Sequence, residues 1–106
     1  MTRYAYVDGS NNTYEIGDRL VYVPITPAQS SSGTYSGGVP KSAALDAEQR
    51  AELIAMLDRI ANDGPNVLAT RPMGCGTVIV GDTRTYCRAD SPLKAVLEQR
   101  LRELLG

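Results

Sequence analysis

Two glycine-aspartate links, Gly17-Asp18 and Gly81-Asp82, constrain the fold of this chain more than any other feature. Each link lies between two short runs rich in Val, Ile, Tyr and Thr, which is the pattern of a β-hairpin. Because glycine readily adopts a positive φ, a two-residue link with Gly first predicts a type II′ turn. The sequence therefore predicts two antiparallel hairpins.

Two helices are predicted from apolar residues that recur with a period of 3.6. The first should span 46–62, where Asp46 and Gln49 have the spacing of a capping box. The second should span 91–105, with Ser91 as its N-cap. The predicted buried faces carry Leu53, Ile54, Met56, Leu57, Ile60 and Ala61 in the first helix and Leu93, Val96, Leu97, Leu101, Leu104 and Leu105 in the second.

The order strands, helix, strands, helix predicts an α+β fold. We expect a single domain over residues 1–106, with a mostly antiparallel sheet of five or six strands packed against two helices. The sequence has six Tyr and no Phe or Trp, so the core should be largely aliphatic. On the solvent face of the second helix, Glu98 and Arg102 have the spacing of a favourable i,i+4 ion pair.

Composition excludes several classes of function. The formal net charge of −1 provides no field that would attract nucleic acid or an acidic membrane, and no run approaches the ~20 apolar residues of a membrane span. The absence of His excludes every mechanism that needs an imidazole, including most zinc enzymes. We therefore expect no metal and no cofactor. Two cysteines without CxxC spacing, and no leader-like start, predict a cytoplasmic protein, which we expect to be bacterial.

A loop rich in Ser, Gly and Pro is predicted over 26–42. Loops longer than ~12–15 residues in a small domain are usually functional or disordered, so this segment is the first candidate for a binding function. The alternative is a turn-rich surface loop without a function, and a nucleotide site is disfavoured because the phosphate-loop spacing is missing. The candidate partner-binding residues are Ser31, Ser32, Gly33, Thr34, Tyr35, Gly37 and Gly38.

A second candidate lies on the hairpin around Gly81-Asp82. A two-residue link places Arg84, Tyr86 and Arg88 on one face and directs Val78, Val80 and Cys87 to the core. Together with Arg71, that first face is a candidate patch for an anion or an acidic partner, and its alternative is a solvated strand face. Cys75 shares this face and lies between two glycines, so it is a candidate reactive thiol, with an inert small residue as the alternative.

These observations favour a non-enzymatic binding or protein-interaction domain that uses the Ser/Gly-rich loop. The expected partner is a protein, and a nucleic acid is not expected. The alternative is a small hydrolase or transferase that acts without His through Ser31, Ser32 or Cys75.

Overall fold

A computed structural model describes residues 3–25, 38–64, 67–68 and 75–105. The strands are β1 (Tyr4–Val7), β2 (Thr13–Ile16), β3 (Arg19–Val23), β4 (Lys41–Ala44), β5 (Val67–Leu68), β6 (Gly76–Val80) and β7 (Thr83–Cys87), and the helices are α1 (Ala47–Ala61) and α2 (Pro92–Leu105).

The seven strands form one antiparallel sheet in the order β4-β3-β2-β1-β6-β7-β5. The α+β fold is confirmed, with one strand more than the larger number expected. The strand that sequence patterns miss is β4, because Lys-Ser-Ala-Ala has little intrinsic preference for a strand. Since β4 begins at Lys41, the predicted loop over 26–42 extends two residues too far.

The second hairpin has the predicted register. Val80 lies opposite Thr83, and Gly76 lies opposite Cys87, so the link between β6 and β7 has two residues. The first residue of this link, Gly81, has a φ of 62°, as the first position of a type II′ turn requires. Here the register predicted from local turn chemistry is confirmed.

The first hairpin differs from the prediction although it carries the same Gly-Asp dipeptide. Ile16 lies opposite Leu20, so three residues connect the paired positions, and Gly17 does not adopt a positive φ. The reason is tertiary. β4 pairs with β3 as far as Arg19 opposite Ala44, and this pairing extends β3 into the turn. The type II′ turn predicted at Gly17-Asp18 is therefore wrong.

Both helices begin with the predicted caps. Asp46 accepts a hydrogen bond from the Gln49 amide at 2.8 Å, and the Gln49 side chain accepts one in return from the Asp46 amide. The Ser91 hydroxyl accepts one from the Lys94 amide at 3.4 Å. These caps satisfy N–H groups that the first helical turn leaves without partners.

The two helices pack on one face of the sheet and enclose the main core there. The fully buried core residues of this layer are Tyr6, Leu20, Leu53, Leu57, Ile60, Val78, Cys87, Leu97 and Leu101. Most predicted helix faces are correct, but Val96 is 53% exposed whereas Lys94 is buried. On the opposite face of the sheet, Ala5, Thr77 and Ile79 are also buried.

Neither helix is long and apolar enough to span a bilayer, within the part of the chain that the structure describes.

Candidate functional site

Three tyrosines form a row across the sheet on the face that carries the helices. Tyr6 of β1 lies opposite Tyr14 of β2, which in turn lies opposite Tyr22 of β3. The ring centroids are 6.1 Å apart in the first pair and 4.9 Å apart in the second, distances typical of aromatic pairs. The next cross-strand neighbour is Lys41 of β4. We call Tyr6, Tyr14 and Tyr22 the tyrosine row.

At its inner end, the tyrosine row meets a carboxylate from α2. The Tyr6 hydroxyl donates a hydrogen bond to Glu98 Oε2 at 2.8 Å, and Lys94 Nζ donates one to Glu98 Oε1 at 3.2 Å. Tyr6 is fully buried, and Lys94 is buried beside it. Burial, reinforced by the negative charge of Glu98, raises the pKa of Tyr6 far above its usual value. Each polar group at this inner end therefore has a partner.

Gly76 allows this arrangement because Tyr6 lies directly against its backbone. A Cβ at position 76 would lie 2.8 Å from the Tyr6 hydroxyl oxygen, closer than real Cβ contacts, and 3.0 Å from Cys87 Sγ, which is tighter than most of them. Any larger residue at this position would displace the hydroxyl that Glu98 accepts from. Burial also raises the pKa of the Cys87 thiol. Gly76 is thus a requirement of packing at the inner end.

The ion pair predicted between Glu98 and Arg102 is wrong, because both Glu98 oxygens are occupied by Tyr6 and Lys94. Helix spacing alone favours Arg102, since the pair with the acid N-terminal to the base has the better orientation and the Lys94–Glu98 pair has the reverse order. The buried Tyr6 hydroxyl also needs Glu98 as its acceptor, because a buried donor without an acceptor costs about 1–3 kcal/mol.

The outer end of the tyrosine row opens into a pocket of about 580 Å³ between the sheet and the last turns of α2. This volume lies within the range of small-molecule sites, roughly 300–1,000 Å³. We call this cavity the outer pocket. The described residues in its wall are Tyr14, Tyr22, Gly38, Val39, Lys41, Arg102 and Leu105.

Two cations, Lys41 and Arg102, lie in the wall of the outer pocket, and the described wall contains no carboxylate. Among the residues that the structure describes, neither cation takes part in an ion pair. Burial raises the pKa of Tyr14 to about 12, and the positive charge of Arg102 acts weakly in the opposite direction. The outer pocket therefore combines positive charge with neutral phenol rings and apolar side chains.

The predicted site residues that the structure describes do not form one site. Of the seven loop candidates, Gly38 lines the outer pocket, and the other six lie outside the described residues, as does Arg71. Arg84 and Tyr86 lie two residues apart on β7, and both are on the sheet face away from the helices, as predicted. Arg88, beyond the end of β7, forms an ion pair with Asp90 at 3.2 Å.

Cys75 is almost fully buried, at 1% exposure. This burial removes the accessibility that a reactive thiol requires, so the structure does not support that hypothesis. Cys75 and Cys87 are both free thiols. No cluster of His, Cys, Asp and Glu suited to a metal ion occurs in the described ranges.

The sequence predictions missed the tyrosine row and both pocket cations, although one signal was present. Tyr6, Tyr14 and Tyr22 are spaced eight residues apart over three consecutive strands. Strands of four or five residues joined by short turns place such positions opposite one another. The sequence instead predicts Lys41 within the loop and Arg102 in an ion pair with Glu98.

No protein-family model, curated protein or solved structure matches this chain, so the site is interpreted from its own geometry.

Proposed function

We propose that this chain is a non-enzymatic binding domain whose outer pocket holds a small organic anion. The observation that carries the proposal is the pair Lys41 and Arg102, two cations in one pocket wall without a carboxylate among the described lining residues. An anion between them would form charge-assisted hydrogen bonds, each worth about 1.5–3 kcal/mol. The expected ligand is therefore negatively charged.

The rest of the wall favours a ligand with an apolar body. The rings of Tyr14 and Tyr22, together with Leu105 and Val39, offer hydrocarbon surface beside the cations. Ligand sites typically combine such apolar walls with a few polar groups that fix orientation. An inorganic anion would use the charges and leave this surface in contact with water. An organic carboxylate would use both.

A binding function fits the wall better than catalysis does. The pKa of Tyr14 is raised to about 12, so its hydroxyl remains neutral at physiological pH and is a poor general base there. Lysine and arginine in this setting supply charge and orientation. Gly38, which belongs to the Ser/Gly-rich segment predicted to bind a partner, also lines this pocket.

NMR titrations of the protein with octanoate, inorganic phosphate and octylammonium test this proposal. We expect octanoate to shift the signals of Tyr22, Lys41 and Leu105, whereas phosphate should bind more weakly and octylammonium should not bind. The variants Lys41→Met and Arg102→Met should each weaken octanoate binding about tenfold, which corresponds to about 1.4 kcal/mol.

The matched control is Arg59→Met, at an exposed arginine in the last turn of α1 that does not line the outer pocket. It should bind octanoate like the wild type. Equal affinity in the wild type, Lys41→Met and Arg102→Met would overturn the proposed function.

A further inference from the structure

We infer that Lys94, which does not line the outer pocket, sets the affinity of that pocket by holding Glu98 away from Arg102. This inference rests on the proposed function. Glu98 has two basic residues within about one helical turn, Lys94 before it and Arg102 after it. Only Lys94 is bonded to Glu98 in the structure, at 3.2 Å. Lys94 thus leaves Arg102 available to an external anion.

The geometry shows why Glu98 is a competitor for Arg102. An acid four residues before a base on a helix is the favourable orientation, so Glu98 and Arg102 are the partners that the helix itself prefers. The Glu98 side chain is 20% exposed, so its charge is only partly screened by water. A Glu98 carboxylate released from Lys94 would therefore occupy the guanidinium that an anion needs.

Tyr6 and Lys94 each bind one carboxylate oxygen of Glu98. The Tyr6 hydroxyl occupies Oε2, and the Lys94 ammonium occupies Oε1. Lys94 itself is 8% exposed, and its ammonium nitrogen lies 3.2 Å from Glu98 Oε1. The Ser91 hydroxyl caps the turn that carries Lys94, which places this side chain over the inner end of the tyrosine row. Removing Lys94 frees one carboxylate oxygen and leaves the other bonded.

The test compares octanoate binding in the wild type, Lys94→Met, Lys94→Arg and the double variant Lys94→Met with Glu98→Gln. Lys94→Met should weaken octanoate binding about fivefold, the equivalent of roughly 1 kcal/mol. Lys94→Arg should retain most of the wild-type affinity for octanoate, because an arginine at this position can still pair with Glu98. The double variant should bind octanoate within about twofold of the wild type, since its glutamine side chain still accepts from Tyr6 but carries no charge to compete for Arg102. Circular dichroism verifies that each variant is folded.

A second readout separates this inference from the proposed function. The NMR signal of the Arg102 side-chain Nε–H, assigned by its loss in Arg102→Met, should move in Lys94→Met and return in the double variant, with no ligand present. The wild-type protein could fail to bind octanoate while this signal still moves in Lys94→Met and returns in the double variant. In that case the proposed function is wrong, but the inference that Lys94 and Arg102 compete for Glu98 is supported. If Lys94→Met weakens binding and the double variant does not recover it, Lys94 has only a structural role and the inference is wrong. Unchanged affinity and an unchanged Arg102 signal in Lys94→Met would also overturn it.

Discussion

The two ends of the tyrosine row lie on the same sheet face and against the same helix, yet their charged side chains have different surroundings. At the inner end, Tyr6, Lys94 and Glu98 satisfy one another within the core. At the outer end, Lys41 and Arg102 line a pocket without a carboxylate in its described wall. A charge that is paired inside the fold stabilises it, whereas a charge that is left without a partner beside a cavity is available to a ligand. This difference is the basis of the proposed binding function.

The largest expected effect comes from removing the carboxylate of the inner end. Glu98→Ala should lower the free energy of unfolding by about 3 kcal/mol, because the buried Tyr6 hydroxyl loses its acceptor and Lys94 loses its counter-charge. Urea unfolding followed by circular dichroism measures this. The matched control is Glu103→Ala, at an exposed position of the same helix, which should cost about 0.5 kcal/mol or less. Similar losses in both variants would show that the inner end is not a special structural unit.

A methyl group at position 76 should destabilise the fold by displacing Tyr6 at the inner end of the tyrosine row. Gly76→Ala places a Cβ 2.8 Å from the Tyr6 hydroxyl, so Tyr6 must shift, and we expect a loss of about 2 kcal/mol. Gly17→Ala is the matched control, because nothing lies within 4 Å of its Cβ and Gly17 does not adopt a positive φ. That control should change the stability by about 0.5 kcal/mol or less. A fully stable Gly76→Ala protein would contradict the close packing of Tyr6 on β6.

Alkaline pH should weaken the fold through the tyrosine row. The pKa of Tyr6 and that of Tyr14 are both raised in the folded protein, whereas tyrosine in the unfolded chain titrates near 10. The unfolded state therefore loses these protons first, and the free energy of unfolding should fall as the pH rises above about 10. For Tyr14 the fall should level off near its folded pKa of about 12.

Urea unfolding across the range from about pH 8 to about pH 12 measures that slope. Burial raises the pKa of Cys87 in the same direction, so the tyrosine contribution is the difference between the wild type and Tyr6→Phe or Tyr14→Phe. Tyr6→Phe should reduce the slope, and a slope identical to that of the wild type would show that the Tyr6 hydroxyl is not buried.

The parts of the fold that local chemistry determines were predictable from the sequence. The register around Gly81-Asp82 follows from a glycine with a positive φ, and both helix starts follow from their capping residues. The turn at Gly17-Asp18 was not predictable, because β4 pairs with β3 up to that turn. A strand with the sequence Lys-Ser-Ala-Ala gives no hydrophobic signal, so that tertiary effect was invisible in the sequence.

The outer pocket was hidden for the same kind of reason. Lys41 belongs to the unpredicted strand, and helix spacing assigned Arg102 to Glu98. Hydrophobic periodicity also predicts Val96 on the buried face of the helix, whereas in the structure Val96 is 53% exposed and Lys94 is buried. A lysine can replace an apolar residue on a buried face when its stem packs and its ammonium meets a carboxylate. Such pairing depends on Tyr6, which is distant in sequence.

The smallest expected effect on stability is also the one that most sharpens the comparison. Arg102→Met and Lys41→Met should each change the free energy of unfolding by less than about 0.5 kcal/mol, because neither cation forms an ion pair within the described ranges and methionine keeps the apolar part of the stem. Lys94→Met removes a cation from the same helix as Arg102, but it should cost several times more, because it leaves Glu98 without its cation. Urea unfolding of the three variants at neutral pH gives the comparison directly. A loss above about 1 kcal/mol in Arg102→Met would mean that Arg102 stabilises the fold as Lys94 does, and the two ends of the tyrosine row would then no longer differ in kind.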